Sequence, residues 1–463
     1  MDGETRGNPF LRGNFAPLRS EDDFDLDVQG ALPEGLAGSL YRIGPNPQFD
    51  PVERNYHWFG GDGMVHAFEI DGGAVRYRNR YVRTPRWQTE NAAGKVLYGV
   101  MGNPMTTDPS VMGTDSGVAN TNILLHAGRL LALEEGHEPF EVAAGDLAPL
   151  GYRPFGGRVT AHPKVDPRTG EMVFIAYADG TMPLSDQISW GVAGPDGDLQ
   201  TRETFTAPYC SMVHDFALTD RFVVIPVMPL TGDIQRAMRG GPPFAWDPEK
   251  GASLAIIDRA IGVASLRWVT VPTGYVFHVM NAWDDGQGLV VDAMRYPQAP
   301  FFPLVDGSPG METAAINIRW RIDLSGPEAK VEETVLDDLA GEFPRFDERF
   351  AQRPHRHGWF VGQQRRPGDI RGDCLAHLDL ATGARTVWTE EGIGGVAEPV
   401  FVPRSSDVPE GDGWLLTVLY RLDRGISELA VFDALDIAAG PVARAAAPRR
   451  VPFGFHGNFV ARA

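Results

Sequence analysis

The 463-residue chain is poor in cysteine and in positive charge, and it contains no long apolar run. Each shortage excludes something. Two cysteines, Cys210 and Cys374, rule out a disulfide framework and cysteine-built metal sites, and they fit a reducing compartment. Forty-two Lys and Arg stand against 61 Asp and Glu. The resulting net charge of −19 opposes binding to nucleic-acid phosphates or adsorption to an anionic membrane surface. No stretch of about 20 apolar residues is present, so no membrane-spanning helix is expected. The N-terminus, MDGETRGNPFLRGNF, lacks the apolar centre of a signal peptide. These features predict a cytoplasmic protein with no nucleic-acid partner and at most peripheral membrane contact.

Turn chemistry, by contrast, is abundant. Gly (54 residues) and Pro (37 residues) punctuate short runs rich in Val, Ile, Phe and Tyr, such as MVFIAYAD, RFVVIPVM and GWLLTVLYRL. VDPRTGEMVF, LDLATGARTVW and RIDLSGPEAKVEE each read as strand, Asp-bearing turn with Gly, strand. This weak repeat matches the outer hairpins of propeller blades, which recur about every 40–50 residues. Helix signals are few and short, in VLDDLAGEF and DALDIAAG, and TGDIQRAMRGGPPFAWDPEKG reads as an excursion without strand patterning. Residues 1–38, acidic and then Pro/Gly-rich, read as an irregular N-terminal wrap. With no linker in view, residues 1–463 read as a single all-β domain. A propeller closes so many short strands more naturally than a sandwich does.

Four of the 11 histidines share an apolar setting: His162 in VTAHPKVD, His214 in MVHDFAL, His278 in YVFHVMNAW and His456 in FGFHGNFV. No HxxxH pair occurs, and each histidine read singly is a core residue satisfied by local hydrogen bonds. Brought together on a propeller axis, four neutral imidazoles would suit iron(II), zinc or copper. Such a cationic centre would call for outer carboxylates on the free ring N–H groups. Glu135, Glu342 and Glu398 have apolar or Pro-bounded settings that fit this need, although a surface position is the plain reading of a glutamate. His126, His137, His355, His357 and His377 lie in polar stretches and read as solvated. His57 and His66 flank the glycine-rich NYHWFGGDGMVHAF.

In this order, the segments GSLYRIGPNP, YHWFGGDGMVHAF, VANTN, LLALEEGHEP, TAHPKVDPRTGE, MVHDFALTDRFVVIPVMPL, FHVMNAW, EFPRFD, AEPVFVPR and FHGNF resemble the carotenoid cleavage oxygenase family over nearly the whole chain. The resemblance implies a seven-bladed β-propeller with irregular loops forming a cap over an axial iron site. It implies one Fe(2+) per chain on His162, His214, His278 and His456. Glu135, Glu342 and Glu398 would orient His214, His278 and His456 respectively, and Thr121 of the VANT motif would lie beside an open coordination position. The implied activity is that of an iron(II)-dependent dioxygenase cleaving a C=C bond of a small apolar alkene with O₂ to give two carbonyl products. No GxGxxG motif opens a βαβ unit, so no nicotinamide or flavin is expected.

Parts of the chain are similar to the bacterial stilbene-cleaving branch. Where that branch has a tyrosine and a lysine that hold the substrate's phenol, this chain has Met101 and Glu134. A carboxylate repels a phenolate, and methionine offers an apolar wall. The expected substrate is therefore a carotenoid or apocarotenoid, with a stilbene or phenylpropenoid as the alternative. Phe59, Met101 and Glu134 are the expected substrate contacts. An isomerase on the same scaffold and an iron-free lipid-binding propeller are the competing readings.

Overall fold

Burial falls steeply across the sheet of Tyr275–Asp284, Gly288–Tyr296, Ile316–Asp323 and Lys330–Asp337. Nine of the ten residues in its first strand are buried, whereas in its last strand only Asp337 is. This gradient explains why YVFHVMNAW is almost continuously apolar while KVEETVLD is charged: the first strand has protein on both faces, the last has solvent. The structure is a computed structural model that describes residues 7–51, 56–99, 106–365 and 369–462.

Five such four-stranded antiparallel sheets follow one another within residues 122–152, 164–206, 217–271, 275–337 and 341–388. Neighbouring sheets share cores; Val291 and Trp320 of one pack in the same cluster as Phe360 and Leu378 of the next. Burying each such side chain contributes about 1.5–3 kcal/mol. The architecture is an all-β propeller. The seven separate blades implied by the resemblance are not what the hydrogen bonding shows, because ten further strands form one continuous sheet. Asp23–Gly30 makes this continuity. Its first half pairs with Ala74–Tyr81 (Leu26 opposite Val75) and its second half with Ala443–Ala446 (Val28 opposite Ala445). The stretch 1–38, read as irregular, thus contains a strand. Its alternation DFDLDV buries Leu26 and leaves Asp23 to pair with Arg76 and Arg78 of the neighbouring strand. Near the other end of the chain, Gly457–Ala461 joins Gly38–Pro45, with Leu40 opposite Phe459.

Helix enters where it was not expected. Pro85–Ala93 is an α-helix capped by the Thr84 side chain and closed by Gly94 at φ 67°. VLDDLAGEF is strand and turn, and DALDIAAG holds only the 3-10 turn Ile437–Ala439. The excursion after Pro229 is a two-stranded hairpin, Leu230–Gly232 with Phe244–Trp246, carrying the short helix Ile234–Met238. Among the described residues no helix is long and apolar enough to cross a membrane.

The sheets present their first strands to one place, and the singled-out residues sit at those strands. His162, His214 and His456 lie just before Lys164–Val165, Ala217–Leu218 and Gly457–Ala461. His278 and Glu342 lie in the first strands of their sheets, and Glu398 falls between Ile393–Val396 and Val400–Pro403. Thr121 and Glu135 flank the hairpin of Asn122–His126 and Arg129–Leu133.

Candidate metal centre and its cavity

His162, His214, His278 and His456 are all buried, and one ring nitrogen from each lies within 4.8 Å of the others. Nε2 of His162 faces Nε2 of His214 at 3.0 Å, and Nε2 of His278 faces Nε2 of His456 at 3.2 Å. Three carboxylates stand behind the rings. His214 Nδ1 donates to Glu135 Oε1, His278 Nδ1 to Glu342 Oε2 at 2.5 Å, and His456 Nδ1 to Glu398 Oε1 at 2.9 Å. Among the described residues no carboxylate faces His162, whose backbone N–H is held by Thr160 Oγ1 at 3.1 Å. Asp215 ties two of these segments together. It accepts the Val279 N–H at 2.8 Å, one residue after His278, and pairs with Lys164 at 2.7 Å.

Protonation follows from the carboxylates. Burial works against the charge of Glu398, but His456 and the Arg345 guanidinium at 3.4 Å outweigh it and hold the carboxyl well below the usual range. An ionised carboxylate only accepts, so the proton of each paired imidazole sits on Nδ1 and the lone pair on Nε2. Burial keeps His162 neutral and pushes His456 down to about 4. Burial also opposes a charge on His278, but Glu342 overcomes it and raises that ring. With its Nδ1 proton on Glu342, the raised His278 carries a second proton on Nε2, which points at the neutral His456 Nε2 at 3.2 Å. A metal cation among the four nitrogens takes the place of that proton and accepts the Nε2 lone pairs. At a metal–nitrogen distance of about 2.0–2.1 Å, adjacent ligands stand about 3 Å apart, as both close pairs do. The residues present fit a divalent transition metal.

The nitrogens open on a cavity of about 480 Å³. Phe59, Phe277, Phe301, Phe343 and Phe455 give it apolar walls, and Thr121 and Glu135 line it near the histidines. Phe59 is placed by backbone contact: Asn120 Nδ2 donates to the carbonyls of Phe59 (2.8 Å) and Gly61 (2.7 Å). A Cβ on Gly63 would lie 2.2 Å from the Ala119 carbonyl oxygen, so only glycine permits this approach. Strain gathers here. Of the eight non-glycine residues with positive φ among the described residues, Ala178, Leu184, Phe301 and Phe343 line the cavity.

Glu134 also lines the cavity, but its charge is engaged. Its Oε1 lies 2.9 Å from His137 Nδ1 and accepts the Val118 N–H at 2.8 Å. Burial opposes the ionised form; His137 and the backbone donors outweigh it and hold Glu134 below its ordinary value, and Glu134 in turn raises His137. Met101 falls outside the described residues. Thr121 Oγ1 donates to Asn120 Oδ1 at 2.9 Å, and its carbonyl accepts the His456 N–H.

Several residues were misjudged or unseen. His126, His355, His357 and His377, read as solvated, are buried, because aromatic and backbone neighbours from distant strands close over them. Tyr177, Arg345 and Asp215 carried no signal in pattern or spacing. Only Glu134–His137, three residues apart, was visible as a potential pair.

Three comparisons bear on the assembly. Residues 15–461 match the family described as RPE65, retinal pigment epithelial membrane protein. The chain is 36% identical to isoeugenol monooxygenase of Pseudomonas putida, over 98% of each protein. It is also 36% identical to lignostilbene-α,β-dioxygenase isozyme III of Sphingomonas paucimobilis, over 97% of this chain and 96% of that one. The crystal structure of Pseudomonas brassicacearum lignostilbene dioxygenase superposes with a TM-score of 0.93 at 35% identity, covering 98% of this chain and 99% of that one. Four convergent imidazoles, their carboxylates and these matches lead to one conclusion: the chain belongs to the RPE65, or carotenoid oxygenase, family.

Proposed function

We propose that the protein is a non-haem iron(II) dioxygenase that cleaves a C=C bond of an apolar alkene with O₂. The observation that carries this reading is the set of four converging Nε2 atoms opening on an apolar cavity. His162, His214, His278 and His456 hold one iron(II), and Glu135, Glu342 and Glu398 keep the ring protons of three of them on the outer nitrogens. Bound iron(II) supplies the activation of O₂. The protein supplies position and dryness: the phenylalanine walls exclude water and hold the alkene beside the four nitrogens. Thr121, at the cavity wall next to His456, narrows the approach to them. Both bonds of the C=C and the O–O bond break, and two C=O bonds form, so no external reductant is needed. Two unpaired, buried cysteines support the cytoplasmic assignment.

Two alkene classes remain in view, carotenoids or apocarotenoids and stilbenes or phenylpropenoids. The Glu134–His137 pair favours the second. The repulsion expected of Glu134 applies to a phenolate, but a neutral phenol can donate to this carboxylate, whose charge His137 offsets. The cavity volume of about 480 Å³ suits a substrate of one or two rings. Relatives named for isoeugenol and lignostilbene add to this preference. Phe59, Met101 and Glu134 are the proposed substrate contacts.

The test is anaerobically purified protein assayed for iron and then given a hydroxystilbene, isoeugenol and a β-apocarotenal under labelled O₂. One iron per chain and label in both carbonyl products, with exchange into water controlled, are expected. Iron-replete protein that yields no aldehyde from any of the three overturns the reading. Glu134→Gln should favour 4-methoxy over 4-hydroxy substrates by about tenfold relative to wild type. An unchanged ratio removes Glu134 from substrate recognition.

A further inference from the structure

One of the three carboxylates behind the histidines is held differently from the others. Glu398 is held through both oxygens, by His456 Nδ1 on Oε1 and the Gly457 N–H on Oε2 at 2.9 Å, whereas Glu342 takes both His278 Nδ1 and the Phe343 N–H (2.7 Å) on Oε2, with the buried Tyr296 hydroxyl beside it. The side chains of Glu342 and Glu398 are 1% and 3% exposed, whereas that of Glu135 is 17% exposed. Among the described residues no backbone amide reaches Glu135. Besides His214, its donor is the Tyr177 hydroxyl, which binds Oε2 while His214 Nδ1 binds Oε1. The last torsion of a glutamate is broad and roughly twofold, so a carboxylate held through one oxygen turns readily. Held through both, it fixes the plane in which the His214 proton lies and hence the aim of Nε2.

Tyr177 is itself fixed. It follows the buried strand Met172–Ala176 and precedes Ala178, whose φ of 49° is strained for a residue with a Cβ. Arg158 Nη1 holds the Ala178 carbonyl at 2.5 Å. Burial and the neighbouring Glu135 charge push the Tyr177 hydroxyl well above its ordinary range, so it stays a donor. Tyr177 and Glu135 both face the cavity.

We propose that Tyr177 is a positioning residue for the metal centre, which sets the orientation of His214 by pinning the second oxygen of Glu135. The inference rests on the metal reading given above. Among the described residues, Glu135 is the outer carboxylate whose second oxygen is held by a side chain that lines the cavity.

The test uses the full chain. Metal affinity is measured anaerobically by competition against a chromophoric chelator, and the visible spectrum of the Co(II)-loaded protein is recorded. Tyr177→Phe should weaken metal binding about tenfold, shift the Co(II) bands and lower kcat with little change in KM, at an unchanged melting temperature of the metal-free protein. Tyr177→Met, which fills the same space with a flexible apolar chain, should do the same and serves where phenylalanine does not pack. In a Glu135→Gln background the Tyr177→Phe change should add little, because the carboxylate it orients is gone. Tyr41→Phe loses a hydroxyl bond to the Ala144 carbonyl away from the cavity and should alter neither affinity nor spectrum. Wild-type affinity and spectrum in both Tyr177 variants, or the same tenfold loss in the Glu135→Gln background, overturn the proposal. A wild-type chain that binds no metal overturns the metal reading and this proposal together, which tells the two failures apart.

Discussion

His357 Nδ1 and His377 Nε2 meet at 3.0 Å, the same separation at which His162 and His214 face each other on the axis. Both groups are buried, and both have further histidines nearby, His355 in the first case and His278 and His456 on the axis. What stands behind the rings differs. His377 stacks on Trp359 with centroids 5.4 Å apart, and Glu410 binds the His357 backbone N–H and not its ring. The Asp292 carboxylate near His355 is already engaged by Arg319 through both oxygens. His357 and His377 therefore share a proton, one nitrogen donating to the other's lone pair. On the axis three carboxylates hold the ring protons on the outer nitrogens, so the Nε2 atoms that face one another are the ones offered to a cation. The lesson is that burial and proximity of imidazoles do not make a metal site; the location of the protons does.

The largest effect should come from the axis. His278→Ala should abolish both metal binding and alkene cleavage while the chain stays folded, as read by metal analysis, product formation and circular dichroism. Retained metal and turnover would place the centre elsewhere. Next, Glu342→Gln should weaken metal binding about 10- to 100-fold, since an amide no longer demands the Nδ1 proton of His278. An affinity equal to wild type would erase the distinction drawn between the two groups. In the second group, His377→Ala should cost about 1–3 kcal/mol in urea unfolding by leaving His357 without its partner, with metal content untouched. Metal loss in that variant would break the comparison from the other side.

The smallest effect is a pH slope. Burial holds His66 down to about 3 and His377 to about 4, against about 6.5 in the unfolded chain. The unfolded state then binds more protons as the pH falls. Stability is complete above about 6.5 and should decline toward pH 4, by at most about 1.4 kcal/mol per pH unit for each histidine. A urea midpoint that stays constant between pH 7 and 5 in the metal-free protein would contradict this.

Local chemistry was legible where it rested on neighbours in sequence. The Asp-Gly turn in VDPRTGEMVF closes as read, with Gly170 at φ 73° donating to the Asp166 carbonyl at 2.8 Å. The signals of the missed helix, Thr84 before Pro85 and Gly94 after Ala93, were present but were outweighed by a weakly apolar interior. DFDLDV was taken as irregular because its stability as a strand comes from partners some 50 and 420 residues away. The same distance hid the burial of His355 and His357, whose local sequence RPHRHGWF is polar. The seven separate sheets failed as a count because the two halves of one N-terminal strand hydrogen-bond to two different strands and join them into one sheet.

The sequence by itself determined the ingredients: apolar first strands, charged last strands, glycine-bearing turns, and a ligand set of imidazoles without thiolates. These depend on side-chain chemistry and on contacts between near neighbours. Only the tertiary structure decided which histidines converge and which carboxylates stand behind them, across 79, 64 and 58 residues of chain. It also decided that Glu134 spends its charge on His137 and that Tyr177 completes Glu135. Such pairings depend on how separate sheets stack around the axis, and no period or spacing within one strand encodes that geometry.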